Sequence, residues 1–397
     1  MVDIATLGTF AVAAVASLFM AWAIGAGSSG STPFAPAVGA NAISVMRAGF
    51  LVGLLGFGGA VLQGANVSEA VGTELIGGVT LSSLAATMAL LIAAALVAIG
   101  IFTGYPIATA FTVTGAVIGV GLAMGGDPAW AKYTEMATLW ILTPFVGGGI
   151  AYAVARLLRA EGLSEAYLIV VFAGLVGAIV ANVEFALLGP PDAGGASIAQ
   201  VAGGWLPGSE IVGVVGATLV IAALWSGAIA LDLGNGVERG ERHFLLVLGG
   251  LVAFSAGGSQ VGLAIGPLIP LSSQLELPLL AMLVGGGFGL LLGSWTGAPR
   301  MIKAISQDYS SLGPRRSIAA LIPSFIIAQA AVFYGIPVSF NEIIVSAIIG
   351  SGYAASGAGG GVSARKMGFT VLAWIGSLAG AIAIGYVGYA AIDVVAL

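Results

Sequence analysis

The sequence has no cysteine and a single histidine, His243, in 397 residues. Without thiols there is no disulfide framework, no thiolate metal site and no cysteine nucleophile. His243 follows the charged run Glu238 to Arg242, so histidine-cluster catalysis and histidine metal ligation are excluded as well. Charge of either sign is scarce: Asp, Glu, Lys and Arg make up 7% of the chain, against about 25% in a soluble domain. A soluble fold of this length could not solvate its surface with so little. The 12 basic residues cannot form a phosphate-tracking patch, so the formal charge of −5 carries no nucleic-acid signal. No Lys falls in the middle of an apolar run, and no paired carboxylate or Ser/His arrangement points to hydrolysis. An enzyme is not expected, nor is a cofactor or a bound metal.

What the chain does have is apolar length. The hydrophobic set is 59% of the residues, glycine fills 64 positions, and the mean hydropathy is +1.09. A bilayer crossing takes roughly 17–25 apolar residues. Such runs are read at 5–24, 45–65, 79–102, 107–124, 137–157, 166–187, 211–231, 243–270, 277–294, 317–334, 339–354 and 369–391. The expected fold is therefore an all-α integral membrane protein of about 12 transmembrane helices with most of its chain in lipid. The only early charge is Asp3, whereas a cleavable signal needs a basic leading region, so none is expected.

Sorting the basic residues by connection separates them sharply. Arg47, Arg156, Arg159, Arg239, Arg242, Arg300, Lys303, Arg315, Arg316, Arg365 and Lys366 lie on odd-numbered connections, and Lys132 alone on an even one. Asp3, Glu69, Glu74, Asp127, Glu135, Asp192, Glu210, Glu276 and Asp393 lie on the even or terminal side. Basic residues stay cytoplasmic, so both termini of this multi-pass cell-membrane protein are expected outside. The loop 189–209 is expected outside with them, and 295–316 is the main cytoplasmic connection.

The chain also repeats itself. Gly104-Tyr-Pro106 and the closing Gly119-Val-Gly121 match Gly335-Ile-Pro337 and Gly350-Ser-Gly352 at an offset of 231. Gly25-Ala26 matches Gly257-Gly258 at 232, and Trp140 matches Trp374 at 234. Equivalent runs are separated by seven crossings, an odd number, so the halves traverse the bilayer in opposite senses. Inverted-topology repeats of this kind build many secondary transporters, with the binding site between them near the midplane. The expected division is a first repeat at 1–160, connecting transmembrane segments with the external loop at 161–242, and a second repeat at 243–397.

Two paired stretches carry polar groups into the apolar runs. The first comprises Gly25, Ala26, Gly27, Ser28, Ser29, Ser31 and Thr32, and its partner runs from Ser255 through Gly257, Gly258 and Ser259 to Gln260. Both read as broken helices at the repeat interface, tolerated only where protein or a polar cavity satisfies the freed backbone. A helix N-terminus presents unpaired N–H groups and about half a positive charge, a ready anion site. Neither break contains Lys or Arg, so an anion there would be held by dipoles and hydroxyls. Small residues of this kind also simply let helices approach closely. The second pair opens at Pro106 and Pro337, where proline suits a helix start. It places Thr109 in one copy, and Ser339, Asn341 and Glu342 in the other, in a first turn facing the same cavity. Glu342 is a coupling-ion candidate and equally a dipole-compensating residue. Glu184, beside Asn182 in the outer part of the sixth run, is read as a helix-end acid.

With these motifs in view, the chain resembles the inorganic phosphate transporter (PiT) family, which includes sulfate permeases, over nearly its whole length. The family motif Gly-Ala-Asn-Asp-Val-Ala-Asn-Ala falls on Gly25 to Thr32, and its second copy on Gly257 to Pro267. The Pro-Val-Ser-Thr-Thr-His motif falls on Pro106–Phe111 and Pro337–Glu342. The departures are chemical: the motif Asp is Ser28 and Gln260, the Asn before it is Gly27 and Ser259, and the His is Phe111 and Glu342. In phosphate members the resemblance assigns those Asp residues to sodium coupling and substrate contact. Sulfate only accepts hydrogen bonds, whereas hydrogen phosphate also donates one. A site without Asp thus places the chain nearer the sulfate-permease branch. Glu342 would either accept phosphate's proton or carry a coupling proton.

The expected function is an ion-coupled secondary transporter of a tetrahedral oxyanion, sulfate or phosphate, working by alternating access with H+ or Na+. A passive anion channel is the alternative within transport. A non-transporting sensor or assembly subunit is the alternative outside it. The expected partners are the inorganic anion, a coupling cation or proton and the lipid bilayer, and the resemblance is compatible with a homodimer.

Overall fold

The computed structural model describes residues 4–189, 195–272, 275–309, 311–354 and 362–396. Asp3, Asp192, the terminal residues and part of the loop 189–209 lie outside the described residues. The first half of the chain folds into α1 (Ile4–Gly27), α2 (Ala35–Gly39), α3 (Val45–Gln63), α4 (Ala65–Thr73), α5 (Ser83–Thr103), α6 (Thr109–Ala123) and α7 (Trp130–Leu157). The middle supplies α8 (Glu165–Asn182), α9 (Ile198–Gly203) and α10 (Glu210–Gly234). The second half contains α11 (Val237–Ile265), α12 (Ile269–Ser272), α13 (Leu279–Thr296), α14 (Ala298–Asp308), α15 (Pro314–Phe333), α16 (Phe340–Tyr353) and α17 (Ala364–Ala396). The strands are two-residue pairings, β1 (Ile76–Gly77) with β2 (Asp127–Pro128) and β3 (Glu184–Phe185) with β4 (Ala196–Ser197).

Among the described residues, 10 helices are long and apolar enough to cross a membrane, which makes this a multi-pass membrane protein. The expected runs 107–124 and 339–354 form helices of only 15 and 14 residues. At about 1.5 Å per residue these span only about 21–23 Å, short of a hydrocarbon core about 30 Å thick. Proline is the reason. It lacks an N–H and disfavours the helical conformation of the residue before it, so 105–108 and 336–339 stay outside any helix. The helices therefore begin past the prolines, behind Ala108 and Ser339 as caps, rather than at the prolines themselves.

The two expected breaks differ. α1 ends at Gly27 and the chain turns through 28–34. α11, by contrast, runs unbroken through Ser255–Gln260 to Ile265, and the interruption comes later, at the 3-10 turn Gly266–Leu268. Glycine weakens a helix by only about 1 kcal/mol, which tight packing offsets, and Pro267 is what ends the helical run. The sixth run also stops early: α8 ends at Asn182, and Glu184 pairs with Ser197 across β3 and β4.

Packing crosses between the halves. α1 lies against α5 and α13, and α11 against α15 and α3. α6 packs on α17, and α16 on α7. α8 packs chiefly on α10. Glycines permit the closest approaches. A Cβ on Gly257 would overlap the carbonyl of Gly56, and one on Gly59 that of Phe254; Gly25 and Gly293 stand in the same relation to Leu290 and Trp22. Each of these two interfaces thus takes one glycine from each helix. Lys132, the exception to the charge bias, is paired with Glu74 at 2.9 Å and Glu135 at 3.2 Å.

Gly59→Val inserts a branched side chain into backbone and should cost at least about 1–3 kcal/mol. We expect a lower thermal midpoint and loss of monodisperse protein in detergent. Gly285→Val, at a position with nothing within 4 Å of the added Cβ, should change neither.

Candidate functional site

The turn after α1 is built on one carbonyl. The oxygen of Ser28 accepts the N–H groups of Ser31 and Thr32, both at 3.0 Å, and their hydroxyls, both at 3.1 Å. Ser31 and Thr32 are thereby occupied within the turn, and the Ser29 hydroxyl lies 3.5 Å from the carbonyl of Ile24. Ser28 is the hydroxyl of this stretch that reaches the other half. It donates to Gln260 Oε1 at 3.2 Å.

Gln260 is the centre of the arrangement. Its Nε2 donates to the carbonyl of Val338 at 2.6 Å, which fixes the amide with Oε1 facing the opposite way. Thr109, the first residue of α6, donates its hydroxyl to that Oε1 at 2.7 Å and lies 3.4 Å from Ser28 Oγ. Asn341, in the first turn of α16, reciprocates from the second half. Its Nδ2 donates to the carbonyl of Gly27 at 3.0 Å and to that of Ile107 at 2.7 Å. Ser28, Thr109, Ser259, Gln260 and Ser339 are fully buried, and Asn341 and Glu342 nearly so.

Two kinds of unused polar capacity surround this knot. The first N–H groups of α6 and α16 have no partner within their helices, as at every helix start. Beyond these, Ser259 Oγ, Ser339 Oγ, Asn341 Oδ1 and Glu342 Oε2 are buried side-chain atoms without a hydrogen-bond partner. Leaving such an atom unsatisfied costs about 1–3 kcal/mol, so each of the four is a candidate contact for a polar ligand. The group contains potential donors, the two hydroxyls, and acceptors, Asn341 Oδ1 and Glu342 Oε2. None of the residues named in this cluster is Lys or Arg.

The structure thus brings together Gly27, Ser28, Thr109, Gln260 and Asn341 by direct hydrogen bonds, with Ser259, Ser339 and Glu342 beside them in sequence. It separates others. Gly25 and Gly257 are helix-packing positions, and Gly258 lies against the Gln63 side chain. Ser255 belongs to a second cluster: it donates to Leu251 O at 2.8 Å and accepts from Gln329 Nε2 at 2.6 Å, and the Gln329 amide meets that of Gln63. These glutamines border a cleft of about 740 Å³ lined also by Asn66, Glu69, Asn182 and Glu184.

Two site-forming side chains were visible in the sequence only as repeat landmarks. Trp140 donates its indole N–H to the carbonyl of Pro337 at 2.8 Å, and Trp374 donates to that of Pro106 at 2.7 Å. Their matched spacing from the prolines was the available signal.

The chain is similar to known proteins over nearly its whole length. The sequence profile of the Phosphate transporter family matches residues 24–385. A Thermococcus kodakarensis protein named "Putative phosphate permease TK2061" is 26% identical over 362 residues, covering 84% of this chain and 86% of that one. "Inorganic phosphate transporter 2-1, chloroplastic" of Arabidopsis thaliana is 26% identical over 385 residues, covering 85% of this chain and 64% of its own length. The solved structure described as "The sodium-dependent phosphate transporter" superposes with a TM-score of 0.79 at 21% identity, over 98% of this chain and 99% of that one, and so shares the fold.

Asn341→Leu would strand the carbonyls of Gly27 and Ile107 together. With about 1–3 kcal/mol for each buried group left unsatisfied, the thermal midpoint in detergent should fall markedly. Asn341→Gln, which keeps the amide, should fall less.

Proposed function

The chain belongs to the phosphate transporter family, and we propose that it carries a tetrahedral inorganic oxyanion across the membrane, with inorganic phosphate as lead substrate. The observation that carries this reading is the set of partnerless buried atoms at Ser259, Ser339, Asn341 and Glu342 beside two half-helix N-termini. The hydroxyls and helix N–H groups suit anionic oxygens. Asn341 Oδ1 accepts only, so a ligand that satisfies it must bring a hydrogen of its own. Hydrogen phosphate does so and sulfate does not.

Sulfate is the second reading, favoured by a different observation: Ser28 and Gln260 stand where the family motif has Asp, which leaves a centre without a repelling carboxylate at those two positions. In either case Glu342 is the proposed group for a coupling proton or cation. The substrate ligands proposed are Gly27, Ser28, Thr109, Ser259, Gln260, Ser339 and Asn341. The neighbouring Gly25, Ala26, Ser29, Ser31, Thr32, Gly257 and Gly258 shape the surrounding backbone.

We further read residues 1–160 and 243–397 as inverted repeats, joined by 161–242. Equivalent helices at offsets of 231 to 234 make equivalent contacts across the molecule: α1 with α13 as α11 with α3, and α6 with α17 as α16 with α7. In the orientation set by the charge bias, with both termini outside, the cleft at Gln63 and Gln329 opens outward. Ser255, bonded to Gln329 on the cleft wall, lies one helical turn from Ser259 on the same face of α11. Alternating access would then open this side and its counterpart in turn, since the knot of Ser28, Thr109 and Gln260 is buried from both. A dimer remains compatible with this arrangement.

Purified protein in liposomes should accumulate labelled phosphate saturably and concentratively when a proton or sodium gradient is imposed. Sulfate outcompeting phosphate would reverse the order of substrates. Flux indifferent to every ion gradient would identify a channel, and binding without flux a sensor. Ser259→Leu should reduce uptake by about tenfold or more, equivalent to at least about 1.4 kcal/mol, and unchanged uptake would remove Ser259 from the site.

A further inference from the structure

The two Trp–Pro hydrogen bonds look equivalent but differ in what else each ring touches. Pro106 and Pro337 sit in extended stretches, so their carbonyls have no helical partner, and buried carbonyls need one. Trp140, from α7 in the first half, supplies it for Pro337, two residues ahead of the cap of α16. Trp374, from α17 in the second half, supplies it for Pro106, ahead of α6. Both rings are buried.

The difference lies at the third residue of each half-helix. In α6 this is Phe111, whose ring stacks on Trp140 with centroids 4.1 Å apart and planes 27° apart. In α16 it is Glu342, which has no ring to stack on Trp374. Trp140 therefore touches both half-helix starts at once, one through its ring face and the other through its N–H. Indole is rigid and has two rotatable bonds, so the distance between its face and its N–H is fixed by covalent geometry. The Pro337 stretch is further held by Gln260 on the next carbonyl, that of Val338, so it cannot slide to compensate for a change at Trp140.

We propose that Trp140, with Phe111, is a positioning element that sets the separation of the α6 and α16 N-termini and thereby the size of oxyanion the site accepts. This rests on the reading of the site as an oxyanion site. Phosphate and sulfate are nearly the same size, so the element does not choose between them. It discriminates against larger tetrahedral anions such as molybdate.

The test is anion binding by thermal shift and titration calorimetry on the full-length protein in detergent, with phosphate, arsenate and molybdate as probes. Trp140→Phe keeps a ring but loses the donor, and Phe111→Leu keeps the donor but loses the stack. Each should weaken phosphate binding and lower the phosphate-to-molybdate preference, Trp140→Phe by about fivefold for the loss of one hydrogen bond and Phe111→Leu by about two- to tenfold for the loss of the ring contact. Trp374→Phe should weaken all three anions alike and leave the preference unchanged. If Trp140→Phe and Phe111→Leu lower the midpoint without ligand but keep the wild-type preference, the role is structural and the proposal is overturned. If Trp140→Phe does not fold, Phe111→Leu decides by the same preference. Wild-type protein that binds none of the three anions would overturn the functional reading itself, whereas wild-type binding with an unaltered preference in the variants overturns this inference alone.

Discussion

Inside a bilayer a backbone carbonyl released from a helix has no water to turn to. That constraint organises the centre of this protein. The interruptions after α1 and before α6 and α16 release the carbonyls of Gly27, Pro106, Ile107, Pro337 and Val338. Each receives a side-chain donor: Asn341 serves Gly27 and Ile107, Trp374 serves Pro106, Trp140 serves Pro337, and Gln260 serves Val338. Four of the five donations cross from one half of the chain to the other, and so the interruptions themselves fasten the halves together.

With the carbonyls accounted for, the donors are left over. The opening N–H groups of two half-helices and the hydroxyls of Ser259 and Ser339 face a buried region, and a positive field arises there without a cationic side chain. Such a field is weaker than that of an arginine pair, but it is also free of the desolvation cost that a buried unpaired charge carries. On the proposed reading, a solute held this way would be bound and let go without moving a compensating ion pair. On the same reading, Glu342 would add a carboxyl sensitive to a cation or proton that accompanies the solute.

The broad outline was readable from residue types because lipid demands so much of a sequence. Low charge and long apolar runs gave a membrane protein, and Gly25 to Thr32 gave the end of α1 where it occurs. Where the reading departed, local composition had stood in for tertiary packing. Gly257 and Gly258 resemble a break, yet they let α11 run uninterrupted against Gly56 and Gly59. The apolar runs at 107–124 and 339–354 suggested full crossings, because hydropathy does not register that a proline removes a turn of helix. Among the candidate site residues, Ser28, Gln260, Thr109 and Asn341 were picked by motif; the fold joins the first three by direct hydrogen bonds and sends Asn341 to the carbonyls of Gly27 and Ile107. Ser31 and Thr32 carry the same hydroxyl chemistry but spend it on the carbonyl of Ser28, a distinction that only the folded turn makes.

That Ser28 carbonyl, with four donors converging on it, also limits how the molecule can deform. A turn so heavily cross-linked neither rewinds into α1 nor stretches, so it travels as a solid knuckle at the helix tip. The proline-bearing stretches at 105–108 and 336–339 are held differently, by side-chain donors on the carbonyls of Pro106, Ile107, Pro337 and Val338. One Asn341 amide joins the carbonyl of Gly27, just before this turn, to that of Ile107 in a proline stretch, so any rocking of one half on the other would have to work on such side-chain tethers around a knuckle that keeps its shape.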